Sequence, residues 1–103
     1  MDYPKVGTEW NWTSSIYPVL KDVHVSVKKS LERFIVVNIE DQEVIERNKQ
    51  NAEETYQRTQ DMDAVRENHA LVTKRENGKM VSEDKFIFTS LQRFYDECDQ
   101  INA

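Results

Sequence analysis

Between Ser82 and Ile101 the apolar residues Ile87, Leu91, Phe94, Cys98 and Ile101 recur at four-three-four-three spacing, and no other stretch constrains the fold as strongly. On a helix that spacing puts all five on one face, and Phe88 and Tyr95 widen the face into a stripe broad enough for a packed core. Ser82 suits an N-cap, and Glu83 and Asp84 suit the positive end of a helix dipole. The spacing predicts a helix over 82–102.

A second rhythm precedes it. Ile16, Leu20, Val23, Val27, Leu31 and Phe34 step by four, three, four, four and three, which predicts a long helix over 16–39 beginning near Ser14 or Ser15, with Pro18 in its first turn. Val23, Val25 and Val27 also alternate with His24 and Ser26, and Phe34–Ile39 is rich in β-branched residues, both of which suit strands. The helical rhythm is preferred because it covers five turns instead of five residues.

Asp41 can cap a further helix over 41–74, supported by acid-first pairs four apart such as Glu43 with Arg47 and Glu54 with Arg58. From Glu46 to Ala70 there is no Ile, Leu or Phe, and Tyr56, Met62 and Val65 are the sizeable apolar groups. A helix this polar is solvated on most sides or is stabilised from outside its own chain, which points to a homodimer or a subunit of a complex. A flexible linker is the third reading, opposed by the scarcity of Gly, Pro and Ser there. Asn77-Gly78 reads as a helix–helix corner in preference to a type I′ hairpin pairing Leu71–Thr73 with Met80–Val81. Residues 1–15 read as an arm. Trp10 and Trp12, two apart, face the same way on an extended chain, either covering a helix end or forming an aromatic anchor for a partner.

With 2 Gly, 2 Pro and 32% charged residues, these elements compose an all-α fold, an antiparallel three-helix bundle in a single domain. Val, Ile, Leu and Phe supply 25 of 103 residues, enough for one modest core. The lone Cys98, on an apolar stripe, reads as a small buried hydrophobe. No signal peptide and no apolar run of about 20 residues is visible, so a cytoplasmic protein is expected, and the Asn11-Trp12-Thr13 sequon has no glycosylation to serve.

The formal charge of −5 comes from residues 41–103, and no basic stripe exists to follow a phosphate backbone, so direct nucleic-acid binding is disfavoured. His24 and His69 fall in different elements and neither belongs to a metal-ligand motif. Asp61 and Asp63, two apart, point to different sides of a helix. There is no phosphate loop, zinc spacing or nucleophile elbow, and neither cofactor nor metal is expected. Asp96, Glu97 and Asp99 form an acidic cluster at the disfavoured end of a helix dipole, tolerated by solvation or kept for a basic partner.

Tyr95-Asp96-Glu97-Cys98-Asp99 resembles the C-terminal Tyr-x-x-x-Asp/Glu signal of the small helical-hairpin proteins of type VII secretion. The resemblance covers five residues. The Trp-x-Gly turn those proteins carry near mid-chain has no counterpart, because the tryptophans here stand near the start and Glu76-Asn77-Gly78 much later. No family is assigned on it.

The leading function is a non-catalytic protein-protein interaction module: an adaptor, inhibitor or regulatory subunit. Trp10, Trp12, Tyr56, Asp96, Glu97 and Asp99 are its candidate partner-binding residues. The alternative is an acidic decoy that mimics nucleic acid and blocks a DNA- or RNA-binding protein, although −5 is thin for that role. A small enzyme without a recognisable motif comes third.

Overall fold

The computed structural model describes residues 4–82 and 86–101. Its elements run β1 (Glu9–Trp12), β2 (Val23–Ser30), β3 (Phe34–Ile39), α1 (Gln42–Thr59), α2 (Met62–Asn68), β4 (Lys74–Glu76), β5 (Lys79–Val81), β6 (Phe86–Ser90), α3 (Leu91–Glu97) and β7 (Cys98–Gln100). The fold is mixed α/β, with a curled antiparallel sheet in place of the expected all-α three-helix bundle.

The correction is clearest over 16–39. Val23, Val25, Val27, Ile35, Val37 and Ile39 lie on one face of β2 and β3 at 0–3% exposure. Of the six residues in the helical rhythm, Leu20, Val23 and Val27 are buried, but Ile16, Leu31 and Phe34 are each 40–41% exposed. Six β-branched residues at period two settle the matter, because their stiff side chains pack well on a pleated surface and lose freedom against a helical turn. The 1–15 arm likewise holds a strand. β1 lies inside the sheet, between β2 and β7.

The helix expected over 41–74 is broken at Gln60, whose left-handed backbone (φ 53°) ends α1 and whose N–H returns to the Tyr56 carbonyl. Asp41 caps α1 by accepting from the N–H groups of Glu43 and Val44, and Asp61 caps α2 through the N–H of Asp63. Two starts and one left-handed stop make two helices. Asn77 and Gly78 both have positive φ, 49° and 75°, and join β4 to β5 as a two-residue hairpin turn. The helix–helix corner is therefore replaced by the hairpin reading, paired over 74–76 and 79–81.

The stretch 82–102 is not one helix either. Its described part is strand, one short helix and strand, and the capping acids Glu83 and Asp84 lie outside the described residues. Ile87, Leu91, Phe94 and Cys98 are buried and Ile101 is half-buried, so four of the five stripe residues mark the core. They reach the core from three elements. Ser90 ends β6 and caps α3, its hydroxyl accepting from Arg93 N–H.

The main sheet has the order β6-β3-β2-β1-β7, so β6 and β7 are its two edges, yet α3 alone connects them. Five strands laid flat would hold those edges about 19 Å apart, four spacings of ~4.8 Å. Seven helical residues advance only about 10–12 Å. The sheet must curl to let α3 reach, and α3 lies in the concavity, where Phe94 meets Trp10 and Trp12 edge-on at 5.0 and 6.2 Å. Val44, Ile45, Leu20 and Leu71 complete this main core. The outer face of the sheet presents Glu9, Asn11, His24, Lys28 and Asp99, all exposed.

A second, smaller core belongs to the segment between β3 and β6. Ala52, Val65, Val72 and Met80 pack together with Tyr56 and Met62 against them. The polar helix thus finds its cover within its own chain, from α2 and the β4–β5 hairpin. The shortage of apolar residues over 46–70 no longer calls for a second chain. Among the described residues no helix is long and apolar enough to cross a membrane.

Candidate functional site

Among the described residues three surface depressions stand out, and the residues around them decide what each can do. The largest, about 450 Å³, runs between α1 and the β4–β5 turn and is walled by Glu46, Lys49, Gln50, Glu53, Lys79 and Met80. Three of its four charged residues, Glu46, Lys49 and Glu53, are already paired. Lys49 lies 3.7 Å from Glu46. Glu53 holds Arg75 at 2.6 Å and also accepts from Gln57. The bond to Arg75 leads in holding the Glu53 carboxyl below its usual range, and the same bond keeps Arg75 firmly charged. Arg75 also stacks over the Tyr56 ring, 4.3 Å from its centroid. Tyr56 is therefore a half-buried platform that ties β4 to α1.

The second depression, about 330 Å³, lies beside Glu97 among Ser15, Ser90, Gln92, Arg93 and Asp96. Glu97 accepts from Trp12 Nε1 at 3.0 Å, from Ser15 N–H at 3.3 Å and from Ser15 Oγ at 2.9 Å, with Arg93 Nη1 at 3.5 Å. Burial by itself would push the Glu97 carboxyl up, but the bonds from Trp12 and Ser15, joined by the Arg93 charge, outweigh it and hold the group below its usual value. The carboxylate fastens the chain after β1 to the end of α3. With its lone pairs committed in this way, it has little left for a ligand.

The third, about 260 Å³, is walled by Glu32, Arg33, Ser90, Leu91, Gln92 and Tyr95. Leu91 and Tyr95, one helical turn apart, give it an apolar floor. Glu32 and Arg33 belong to the β2–β3 turn, closed by Leu31 N–H donating to the Phe34 carbonyl at 2.8 Å. Leu31 and Phe34 flank that turn, and both rank among the large apolar side chains left exposed. Apolar residues with a charged and amide rim have the anatomy of a protein-binding patch.

The residues expected to bind a partner are scattered. Trp10 and Trp12 are buried in the main core, with Trp10 Nε1 donating to Thr8 Oγ1 at 2.9 Å. Glu97 serves Trp12 and Ser15, and Asp96 accepts from Gln92 at 3.1 Å. Asp99 is exposed on β7, opposite Asn11. Leu31 and Phe34 were overlooked because they fit the helical rhythm; the β-branched run that begins at Phe34 was the signal against it.

Among the described residues no three of His, Cys, Asp and Glu gather as metal ligands. His69 is buried, bonded to Thr55 Oγ1 at 2.9 Å, and burial foremost, then Arg58, lowers its pKa. Burial foremost, with Glu97 and Asp99 beside it, pushes the Cys98 thiol far up, which keeps it protonated and poorly nucleophilic. Compared with known proteins, the chain matches no family model, no curated protein and no solved structure.

Proposed function

We propose that this protein is a non-catalytic interaction module that seats a partner protein against the β2–β3 turn and the adjoining face of α3. One observation carries the reading: Leu31 and Phe34, 40% and 41% exposed, flank the turn whose Glu32 and Arg33 line a cleft together with Leu91 and Tyr95. Apolar groups placed so close together on a rigid turn are the usual centre of a docking patch, and Glu32, Arg33 and Gln92 supply a rim that sets orientation. The acidic balance of the chain favours a partner with basic groups around its own apolar centre.

The test is capture from an extract of the native host, with partners identified by mass spectrometry. Leu31→Glu is expected to reduce capture at least tenfold, the loss of about 1.4 kcal/mol, while leaving the melting temperature close to that of the parent. Lys79→Glu, at the far groove, is expected to leave capture intact. Equal capture by the parent and Leu31→Glu would refute the assignment. Raising salt from roughly 0.1 to 0.5 M separates apolar docking, which survives, from an acidic decoy, whose binding collapses.

A further inference from the structure

The two edges of the main sheet are built differently. β7 is three residues long and carries the exposed Asp99. Shortness and charge are among the devices by which edge strands resist the addition of another strand. β6 has neither. It is five residues long, pairs with β3 in unbroken register from Phe34↔Ser90 to Asn38↔Phe86, and contains no charge and no proline. The uncharged run continues through Gln92, in a chain of which 32% is charged.

Pairing on one side of an antiparallel strand turns the N–H and C=O groups of alternate residues to the other side. Among the described residues, no second strand pairs with β6 there and no loop backbone hydrogen bond reaches it. Those groups form a ready template.

We propose that β6 is a strand-addition edge and that its occupant is β6 of a second copy of this chain, paired antiparallel about a two-fold axis at Phe88. A two-fold axis through a sheet edge generates antiparallel neighbours directly, and two-fold dimers are the commonest closed assemblies. The register about Phe88 sets Phe86 opposite Ser90 and Ile87 opposite Thr89, so no like charges meet although each chain carries a formal −5. Ile87 and Thr89 are both buried on the core face, so the joined sheets continue one inner face into the other. A foreign strand would have to bring a matching uncharged edge; a second copy already has one. Five residues bury less than the roughly 800 Å² per partner of a standard interface, so association is weak and depends on concentration.

The observation is separate from the β2–β3 turn, and the two readings fail separately: Leu31→Glu lowers host-partner capture without altering self-association. Light scattering across a dilution series is expected to show the mean mass rising from one chain towards two. Hydrogen exchange at residues 86–90 should slow with concentration while the inner strands β2 and β3 stay unchanged. Under oxidation Phe88→Cys should give a disulfide-linked dimer, whereas Asn38→Cys on β3 and the parent, whose Cys98 is buried, should not. A single-chain mass at every concentration would overturn the proposal. So would a dimer without concentration-dependent protection at 86–90, or protection there only on adding host extract, which would assign the edge to a foreign strand.

Discussion

Glu97 ties together parts of the chain that are far apart in sequence. Its carboxylate receives Trp12 Nε1 and both the backbone and the hydroxyl of Ser15, contacts 82 to 85 positions away in sequence. Removing it leaves a buried indole N–H without its partner, so Glu97→Ala should cost roughly 1–3 kcal/mol. Its pH dependence has a definite sign. The folded carboxyl ionises below its usual value of 4.5, so the stabilisation is fully present above that value and fades as pH falls through the folded pKa. Unfolding by denaturant at a series of pH values should therefore show parent and Glu97→Gln well separated at neutral pH and converging below pH 4.5. A gap that stays constant down to acid pH would mean that the charge contributes nothing.

At the scale of elements, backbone punctuation decides more than apolar rhythm does. Asn77 and Gly78 turn the chain with two positive φ angles, and a Cβ added at Gly78 would meet nothing within 4 Å. Gly78→Ala therefore isolates backbone strain, and a loss of about 1–2 kcal/mol in thermal or chemical unfolding is expected. No loss would show that the turn relaxes to another type. Core membership was legible in most of the stripe: Ile87, Leu91, Phe94 and Cys98 are buried, whereas Ile101 is half-buried. The element type was not. A four-three rhythm can arise by chance where a strand, a short helix and another strand follow one another, and each contributes alternate or every-fourth positions to one core. The alternating valines and the Phe34–Ile39 run, rich in β-branched residues, held the better information, because period-two burial leaves Phe34 outside, while Leu31 lies in the turn between the two strands. The candidate site was hidden for the same reason. The acids 96, 97 and 99 were visible as a cluster, but nothing local could say that Glu97 turns inward to a tryptophan 85 positions away.

For the molecule as a whole, two cores imply two levels of stability. The main core joins the curled sheet, α3 and the first turn of α1, whereas the smaller one holds the rest of α1, α2 and the β4–β5 hairpin. Fewer buried apolar groups hold the smaller unit, and the molecule is long for its size at 42 × 25 × 22 Å. Native-state hydrogen exchange should find the amides of β2 and β3 opening only with global unfolding. Those of α2, β4 and β5 should exchange through a smaller opening at lower free energy. Uniform protection across both units would show one cooperative core instead.

The curl that brings α3 from one edge to the other also fixes an order of events during synthesis. β1 is made before both of its neighbours and can pair with β2 soon afterwards, but its other side waits for β7, and Trp12 waits for Glu97, 85 residues later. At about 5–20 residues per second that is several seconds with two tryptophans and a half-paired strand open to the cell. The cover for the aromatic strand β1 is thus made last, with α3 and β7.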